Sequence, residues 1–371
     1  MQKKFINIFN RINILQNSSN SNSPKKESVR CSNIELFRIV LMLIIIAHHY
    51  VVNSGIPAQY NFSYELPSFK MFFFQSLGFG GKMAINCFLL ISGYFMIKSE
   101  FKIRKLIHLY IQIKFYKLVI YIIFALVGYE DFNLKIILSR LFSVLYSIGY
   151  GRSFPELFLF LYLLSPYINK LLFSIEQNAF KRLVLILLFY FTGLSTIFRS
   201  IDTINYVGWF ITVYMIGAYI RLYPNQLTES RRFGKCGSII IWGLSISSIF
   251  IGDVLRCQQI WHIKNYYYWV NDAHKPLAVL LAIFLFIWFK NMELSHNKLI
   301  NKLASSVFGI LLIHANSDAM REFLWYDLLK NDEFYHSPYF MIHAIGSIII
   351  VYLTCFIIDQ ARRYLFAWLK K

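Results

Sequence analysis

Long apolar stretches separated by short polar segments recur along the whole chain. An α-helix needs roughly 17 to 25 apolar residues to cross a hydrocarbon core of about 30 Å, and several of these stretches are that long. Apolar residues follow one another without alternation, which favours spanning helices over a β-barrel. The pattern predicts ten spans, near residues 34–52, 69–97, 106–128, 154–173, 183–200, 205–222, 237–255, 276–290, 302–318 and 339–360.

A further apolar segment at residues 133–149 has two interpretations. It is long enough to be an eleventh span, but an eleventh span would move every later basic cluster to the opposite side of the membrane. Because cytoplasmic loops are enriched in Lys and Arg, we interpret the segment as an interfacial or re-entrant helix on the outer face.

Composition agrees with this pattern and adds an orientation. The 371 residues are 57% hydrophobic and 18% aromatic, and the formal net charge is +19. With the N-terminus in the cytoplasm, most Lys and Arg residues fall on the inner side, as the positive-inside rule expects. The basic excess therefore reflects topology, and no nucleic-acid partner is expected. We predict an all-α, polytopic transmembrane bundle of about ten helices with both termini cytoplasmic, placed in the cell (cytoplasmic) membrane and surrounded by its lipids.

The chain divides into three predicted regions. Residues 1–33 form a cytoplasmic amphipathic segment that continues into a flexible Ser/Asn-rich tether, and they lack the apolar core and cleavage site of a signal peptide. Residues 34–361 form the transmembrane domain, and residues 362–371 form a basic cytoplasmic tail. The five cysteines are far apart in sequence, so we expect neither a disulfide framework nor a metal site.

The first span carries the most informative side chains. Arg38 is followed after ten residues by His49, with His48 beside it. Ionisable residues inside a membrane helix are costly and by default mark a functional site. An offset of eleven residues returns to within about 20° of the same helix face, about 16 Å further along, so Arg38 and His49 share a face and His48 points elsewhere. The guanidinium suits a phosphorylated ligand, and the imidazole suits general-base catalysis.

Other interpretations of these residues stay open. Arg38 can extend to the inner headgroups while His49 lies in the outer interface, without any catalytic role. The outer connection at 256–275 is rich in Tyr and Trp, which fits either an interfacial aromatic belt or a sugar-stacking surface. Trp209 fits an interface anchor or a ligand platform.

Five segments of the chain resemble acyltransferase family 3, the integral membrane O-acyltransferases, particularly those that modify exopolysaccharide or capsule. They occur in the family's order and extend over nearly the whole chain. In one-letter code they are ELFRIVLMLIIIAHHY, GKMAINCFLLISGYFM, FLYLLSPYINKLL, GWFITVYMIGAYIRLY and SSVFGILLIHANSDAMREFLW.

The resemblance implies a ten-helix enzyme that transfers an acyl group, most often acetyl, from cytoplasmic acyl-CoA to a glycan or glycolipid hydroxyl at the outer face. Polysaccharide biosynthesis machinery is then an expected partner. The family's arginine, ten residues, histidine pattern corresponds to Arg38 and His49. Its Ser-Gly-aromatic signature corresponds to residues 92–94, and its late histidine to His314. We expect the catalytic pair to be His49 and Arg38, and the acyl-CoA phosphates to bind Arg38 with Lys82, Arg104 and Lys105.

The remaining candidates each have two interpretations. Ser92 and Gly93 fit close helix packing, and with Tyr94 they also fit substrate contact. His314 and Asn316 fit either a solvated helix end or acceptor binding. Lys105 and His108 stand where relatives commonly have an Arg-x-x-Arg pair, which weakens the expected CoA-phosphate contacts there. The alternative function is a transporter or flippase for a glycan or anionic substrate, in which Arg38 and His49 line a permeation path.

Overall fold

The computed structural model describes residues 31–56, 66–138, 153–198, 204–259 and 267–368, and within these ranges it contains helices and no strand. Two short π-helical turns, Phe189–Leu194 and Phe323–Leu328, extend the helices Gln177–Leu188 and Asp318–Glu322. The helices in chain order are α1 (Ser32–Val52), α2 (Phe69–Gly78), α3 (Gly81–Met96), α4 (Ile103–Leu126), α5 (Phe154–Ser174), α6 (Gln177–Leu188), α7 (Ser195–Ile197), α8 (Tyr206–Leu222), α9 (Arg231–Cys257), α10 (Pro276–Lys290), α11 (Lys298–Ala304), α12 (Val307–His314), α13 (Asp318–Glu322), α14 (Asn331–Tyr335) and α15 (Phe340–Trp368).

Seven helical stretches among the described residues are long and apolar enough to cross a membrane, or eight if the bent pair formed by α11–α12 and the segment after it is one span. The shorter apolar helices α8 and α10 lie at two further predicted spans. The predicted all-α, multi-pass membrane fold is therefore confirmed. The total of ten spans and the cytoplasmic placement of both termini remain predictions.

The second predicted span, at 69–97, is not a continuous helix, because it breaks between α2 and α3. A Cβ atom at Gly81 would collide with the His48 ring, and one at Gly80 would collide with Ile44. The break is held by the His48 ring, whose Nδ1 lies 2.6 Å from the Gly78 carbonyl oxygen. The glycines thus let α1 approach the broken span closely.

The ninth predicted span, at 302–318, is shorter than expected and ends in a sharp turn. It is interrupted at Ser305 and Ser306, and the chain then bends by 102° between α12 and the segment that starts at Asp318. Ser317 caps α13 by accepting a hydrogen bond from the Met320 backbone N–H. The bend carries α13 back toward the first span.

Several predicted boundaries change or lie outside the described residues. Helix α1 begins at Ser32, inside the predicted tether, and α15 continues through most of the predicted basic tail. Residues 1–30, most of the segment 133–149, part of the aromatic connection and residues 369–371 are not described, so the predictions for them stay predictions.

Helix α3 packs against both α1 and α8 at the centre of the bundle. Its Gly93 meets the backbone of Tyr214 on α8, and Gly217 of α8 meets the backbone of Leu90 on α3. Reciprocal glycine contacts of this kind bring two membrane helices to their closest approach. They fix α3, whose other face lines the functional site.

Candidate functional site

Two cavities lie along the same group of helices, α1, α3, α4 and α5, at different levels. The first, which we name the Arg38 cavity, has a volume of about 660 Å³. Among its lining residues are Arg38, Ser92, Lys102, Arg104, Lys105 and His108. Three of the four side chains that we predicted to bind acyl-CoA, those of Arg38, Arg104 and Lys105, therefore meet in one place.

Arg38 is oriented by a carboxylate one turn earlier on α1. Its Nη1 donates to Glu35 Oε1 at 3.0 Å, and the Glu35 side chain is largely buried. A guanidinium has five N–H donors, so this contact positions the group and leaves others for a ligand. The cavity also contains Glu100, but its basic residues outnumber that single acid.

The second cavity, which we name the His49 cavity, has a volume of about 360 Å³. It shares lining residues with a larger space of about 960 Å³, which we name the vestibule. The residues common to both are Lys82, Ile85, Lys117, Phe154, Asn316 and Arg321. His48 and His49 line only the smaller cavity, so they lie in the part of it that is away from the vestibule.

The hydrogen bonds of His314 determine which nitrogen of His49 is free. His314 Nδ1 lies 2.7 Å from the Ile310 carbonyl oxygen, which can only accept, so Nδ1 carries the proton. In the neutral ring His314 Nε2 is then an acceptor, and it lies 3.1 Å from His49 Nδ1. His49 Nδ1 must donate this bond, and the lone pair of His49 Nε2 remains available. The arrangement is that of an oriented general base.

A sequence model of the acyltransferase domain of acyltransferase family 3 matches residues 32–360. The chain belongs to this family. It is therefore a membrane acyltransferase with several apolar helices that can cross a bilayer. No curated protein and no solved structure matches it.

His48 of this acyltransferase does not point away from the site as predicted. Its ring lines the His49 cavity, and the two ring centroids are 5.8 Å apart. The helical rotation of about 100° is present, but Gly81 has no side chain and so leaves room for the ring at the cavity wall. Because its Nδ1 bonds the Gly78 carbonyl, His48 ties the α2–α3 break to the site.

Lys82 lies in the His49 cavity and the vestibule, not in the Arg38 cavity where its predicted partners are. Its Nζ is 4.0 Å from Asp272 Oδ1 and 5.7 Å from the centre of the Tyr206 ring. Lys82 is near the start of α3, whereas the Arg38 cavity lies at the end of α3. The two cationic positions are therefore at opposite ends of α3.

The three residues of the Ser-Gly-aromatic signature lie in three different environments. Ser92 lines the Arg38 cavity, and its hydroxyl donates to the Phe88 carbonyl at 2.7 Å. Gly93 packs against α8. Tyr94 accepts a hydrogen bond from Arg221 Nη1 at 2.9 Å, outside the lining of the cavities described above. Within the signature, Ser92 thus forms part of a cavity wall, Gly93 allows close helix packing, and Tyr94 contacts a cation of the same chain.

Trp209 is fully buried, and it lines none of these cavities. Its Nε1 donates to Asn86 Oδ1 at 3.0 Å, and Asn86 Nδ2 donates to the Ala273 carbonyl. Trp209 is therefore a core residue that fixes the connection before α10. Asn316 fits both of its interpretations, because it lines the His49 cavity and donates to the Leu312 carbonyl at 2.9 Å.

Sequence reasoning missed a buried ionic group beside the site. Glu156 is fully buried on α5, and its Oε1 accepts from Lys117 Nζ at 2.6 Å and lies 3.7 Å from Lys114 Nζ. All three residues interrupt predicted spans, which is the signal that marks functional positions in a membrane helix. Arg321, on the short helix after the bend, was also missed. Its Nη1 pairs with the Asp318 carboxylate.

A metal ion has no evident set of ligands in the described part of the chain. No group of three or more His, Cys, Asp or Glu side chains is close enough there to hold one.

Proposed function

We propose that this acyltransferase transfers an acetyl group from acetyl-CoA to a hydroxyl of a cell-envelope glycan or exopolysaccharide, with His49 as the general base. The observation that carries the proposal is the pairing of His49 Nδ1 with His314 Nε2 at 3.1 Å, which leaves His49 Nε2 as an available base in a cavity. Family membership supports acyl transfer. The acetyl donor, the glycan acceptor and the base are our proposal.

The donor would bind with its phosphates in the Arg38 cavity. Arg38, Lys102, Arg104 and Lys105 supply charges of the sign that phosphates require, and guanidinium groups pair with phosphate oxygens in a two-point geometry. The same basic cluster supports a cytoplasmic position for this end of the bundle, because cytoplasmic segments are enriched in Lys and Arg. Acetyl-CoA would thus enter from the cytoplasmic side. The acceptor would approach through the vestibule from the outer face of the cell membrane.

The separation of the two cavities fits the shape of the donor. Arg38 and His49 are eleven residues apart on α1, an axial distance of about 16 Å, of the same order as the extended pantetheine arm. Along α5 the Arg38 cavity ends at Phe158, and the vestibule begins at its neighbour Leu157. Only a short barrier therefore separates the Arg38 cavity from the vestibule, which shares lining residues with the His49 cavity.

Phe88 is the residue of α3 that stands at this barrier. Ile85 lines the His49 cavity and Ser92 lines the Arg38 cavity, and Phe88 follows the first by three residues and precedes the second by four. All three therefore share one helix face, with the half-buried Phe88 in the middle. We expect the thioester to pass this side chain.

Substitution of Phe88 tests the path of the thioester. Phe88→Trp enlarges the side chain and is expected to lower kcat/KM for acetyl-CoA by roughly 10², whereas Phe88→Leu is expected to retain most activity. Transfer rates of the two purified variants, compared at equal folded concentration, check this. Equal transfer rates for Phe88→Trp and the parent would show that the thioester does not pass Phe88.

The chemical step can be written with the residues of the His49 cavity. His49 Nε2 removes the proton of the acceptor hydroxyl, and the oxygen attacks the thioester carbonyl carbon. The C–S bond then breaks, the acetyl ester is formed, and the CoA thiolate takes the proton from His49. His49 returns to its starting state, so the scheme requires no further reactant. A positioned base of this kind contributes typically ~10² to 10⁴-fold.

His314 acts through His49 as a positioning residue. His314→Leu removes the acceptor for His49 Nδ1–H, so we expect a loss on the order of 10² or more in kcat with little change in KM for acetyl-CoA. His314→Gln retains a carbonyl oxygen that can accept the bond and should restore part of the rate. A purely structural role predicts instead that both variants lose activity in proportion to lost folded protein, as measured by size-exclusion chromatography.

The proposed enzyme and a transporter differ in one direct observation. Membranes that contain the protein are incubated with acetyl-CoA labelled in the acetyl group, and label in glycan is measured together with release of free CoA. We expect both, in equal amounts and dependent on His49. Movement of glycan without release of CoA would instead favour the transporter.

A further inference from the structure

Three cationic side chains from three different elements line the His49 cavity. They are Lys82 of α3, Lys117 of α4 and Arg321 of α13. Among the described residues that line this cavity none is acidic, and the acids Glu130 and Asp318 line only the vestibule. Under the proposed function, the acceptor hydroxyl must therefore enter a cationic space to reach His49.

Each of these cations is held in place by a carboxylate outside the lining of the cavity. Lys117 donates to Glu156, which is fully buried behind it, while Lys82 lies near Asp272. Arg321 pairs with Asp318, whose side chain is 98% exposed. These contacts orient the cations, and those of Lys82 and Arg321 occupy only some of their N–H donors, since an ammonium has three and a guanidinium five.

The cations are also accessible. The side chains of Lys82, Lys117 and Arg321 are 32%, 19% and 39% exposed, respectively. Lys82 and Arg321 can therefore bind an anion without first breaking a fully buried ion pair, which would be costly. Carboxylate and phosphate groups form their strongest hydrogen bonds with donors of this kind.

The donor's own phosphates do not fit this position. In acetyl-CoA the phosphates and the thioester lie at opposite ends of the pantetheine arm. Phosphates bound by Lys82 and Arg321, which line the same cavity as His49, would place the thioester far from His49 Nε2. An anion bound here must therefore belong to the acceptor.

We infer that the acceptor is an acidic glycan, with a carboxylate or phosphate group close to the hydroxyl that is acylated. Lys82 and Arg321 bind this anion and orient the sugar, so that its hydroxyl faces His49 Nε2, and Lys117 adds positive charge to the same cavity. Phe154, Tyr206 and Phe210 of the vestibule provide apolar faces for the rest of the sugar. The inference rests on the proposed function, because it assumes that the acceptor reacts at His49.

The test uses the full chain in nanodiscs of phosphatidylcholine, whose headgroups have no net charge. Dissociation constants of methyl glucuronide, glucose 1-phosphate and methyl glucoside are measured by ligand-observed NMR. We expect both anionic probes to bind roughly tenfold more tightly than the neutral one, the size of one charge-assisted hydrogen bond. Arg321→Gln and Lys82→Gln should each reduce this preference severalfold, whereas Arg231→Gln, at the start of α9 and outside this cavity, should not.

Three results would overturn the inference. One is the absence of a preference, which includes failure of all three probes to bind. Another is a preference that persists in both cavity variants. The third is displacement of the anionic probes by adenosine 3′,5′-bisphosphate, which carries the phosphate end of CoA without the arm and would assign these cations to the donor. Release of CoA from labelled acetyl-CoA by the same preparation is measured separately, so failure of the proposed function is distinguishable from failure of this inference.

Discussion

His49→Ala is expected to lower acyl transfer by roughly 10² to 10⁴ while the protein stays folded. The substitution removes the nitrogen that takes the acceptor proton, and it leaves the Arg38 cavity about 16 Å away unchanged. The loss should therefore appear in kcat, with the affinity for acetyl-CoA preserved. Initial rates and acetyl-CoA binding, measured on the same purified variant, check both parts.

The control for this prediction is a histidine outside the site. His296 is exposed between α10 and α11 and lines none of the cavities described above, so His296→Ala should transfer at the parent rate. If His49→Ala also transfers at the parent rate, His49 is not the base. If it loses acetyl-CoA binding instead, His49 belongs to the donor site.

Gly93→Ala is expected to prevent correct packing of α3 against α8. A Cβ atom at this position would overlap the carbonyl group of Tyr214, which belongs to a helix backbone and cannot rotate away. Overpacking in a core costs typically ~1 to 3 kcal/mol, and a collision between two backbones belongs at the upper end or beyond. We expect a large fall in melting temperature and in the yield of monodisperse protein.

A second helical glycine provides the matched control. Gly243 of α9 has no atom within 4 Å of the position that a Cβ would occupy. Gly243→Ala should therefore leave stability unchanged or raise it slightly, because alanine favours the helix by up to about 1 kcal/mol over glycine. Similar melting temperatures for the two variants would show that the α3–α8 contact is looser than described.

The spans and the basic end of the site could be predicted because both depend on local composition. Long apolar stretches determine where helices can cross a bilayer. The positive-inside rule assigned Arg104 and Lys105 to the inner side, where the span that carries Arg38 begins, and the structure places all three in one cavity. The shared face of Arg38 and His49 followed from helical periodicity alone, since both lie on one uninterrupted helix.

The end of the site that contains His49 could not be predicted in this way. His49 and His314 are 265 residues apart, and only tertiary packing brings their rings together. The resemblance to the family marked His314, but not the hydrogen bond that orients His49. Arg321 reaches the cavity because the chain bends by 102° after α12, and no hydrophobic pattern encodes that angle.

The position of Lys82 depends on the direction in which its helix crosses the membrane. The predicted second span runs opposite to the first, so its early residues lie near the level of His49 and its late residues near Arg38. Lys82 precedes Ser92 by ten residues, and it is Ser92 that lines the Arg38 cavity. The position of Lys82 was therefore inferable from topology, whereas its pairing with Asp272 was not.

The most direct test of the account is the structure of the protein in nanodiscs with a non-hydrolysable acetyl-CoA analogue, determined by electron cryomicroscopy. We predict that the phosphates occupy the Arg38 cavity, that the arm passes Phe88, and that the acetyl carbonyl carbon lies within about 4 Å of the space that an acceptor oxygen bonded to His49 Nε2 would fill. An analogue bound away from the Arg38 cavity, or one whose acetyl group lies far from His49, would contradict the account.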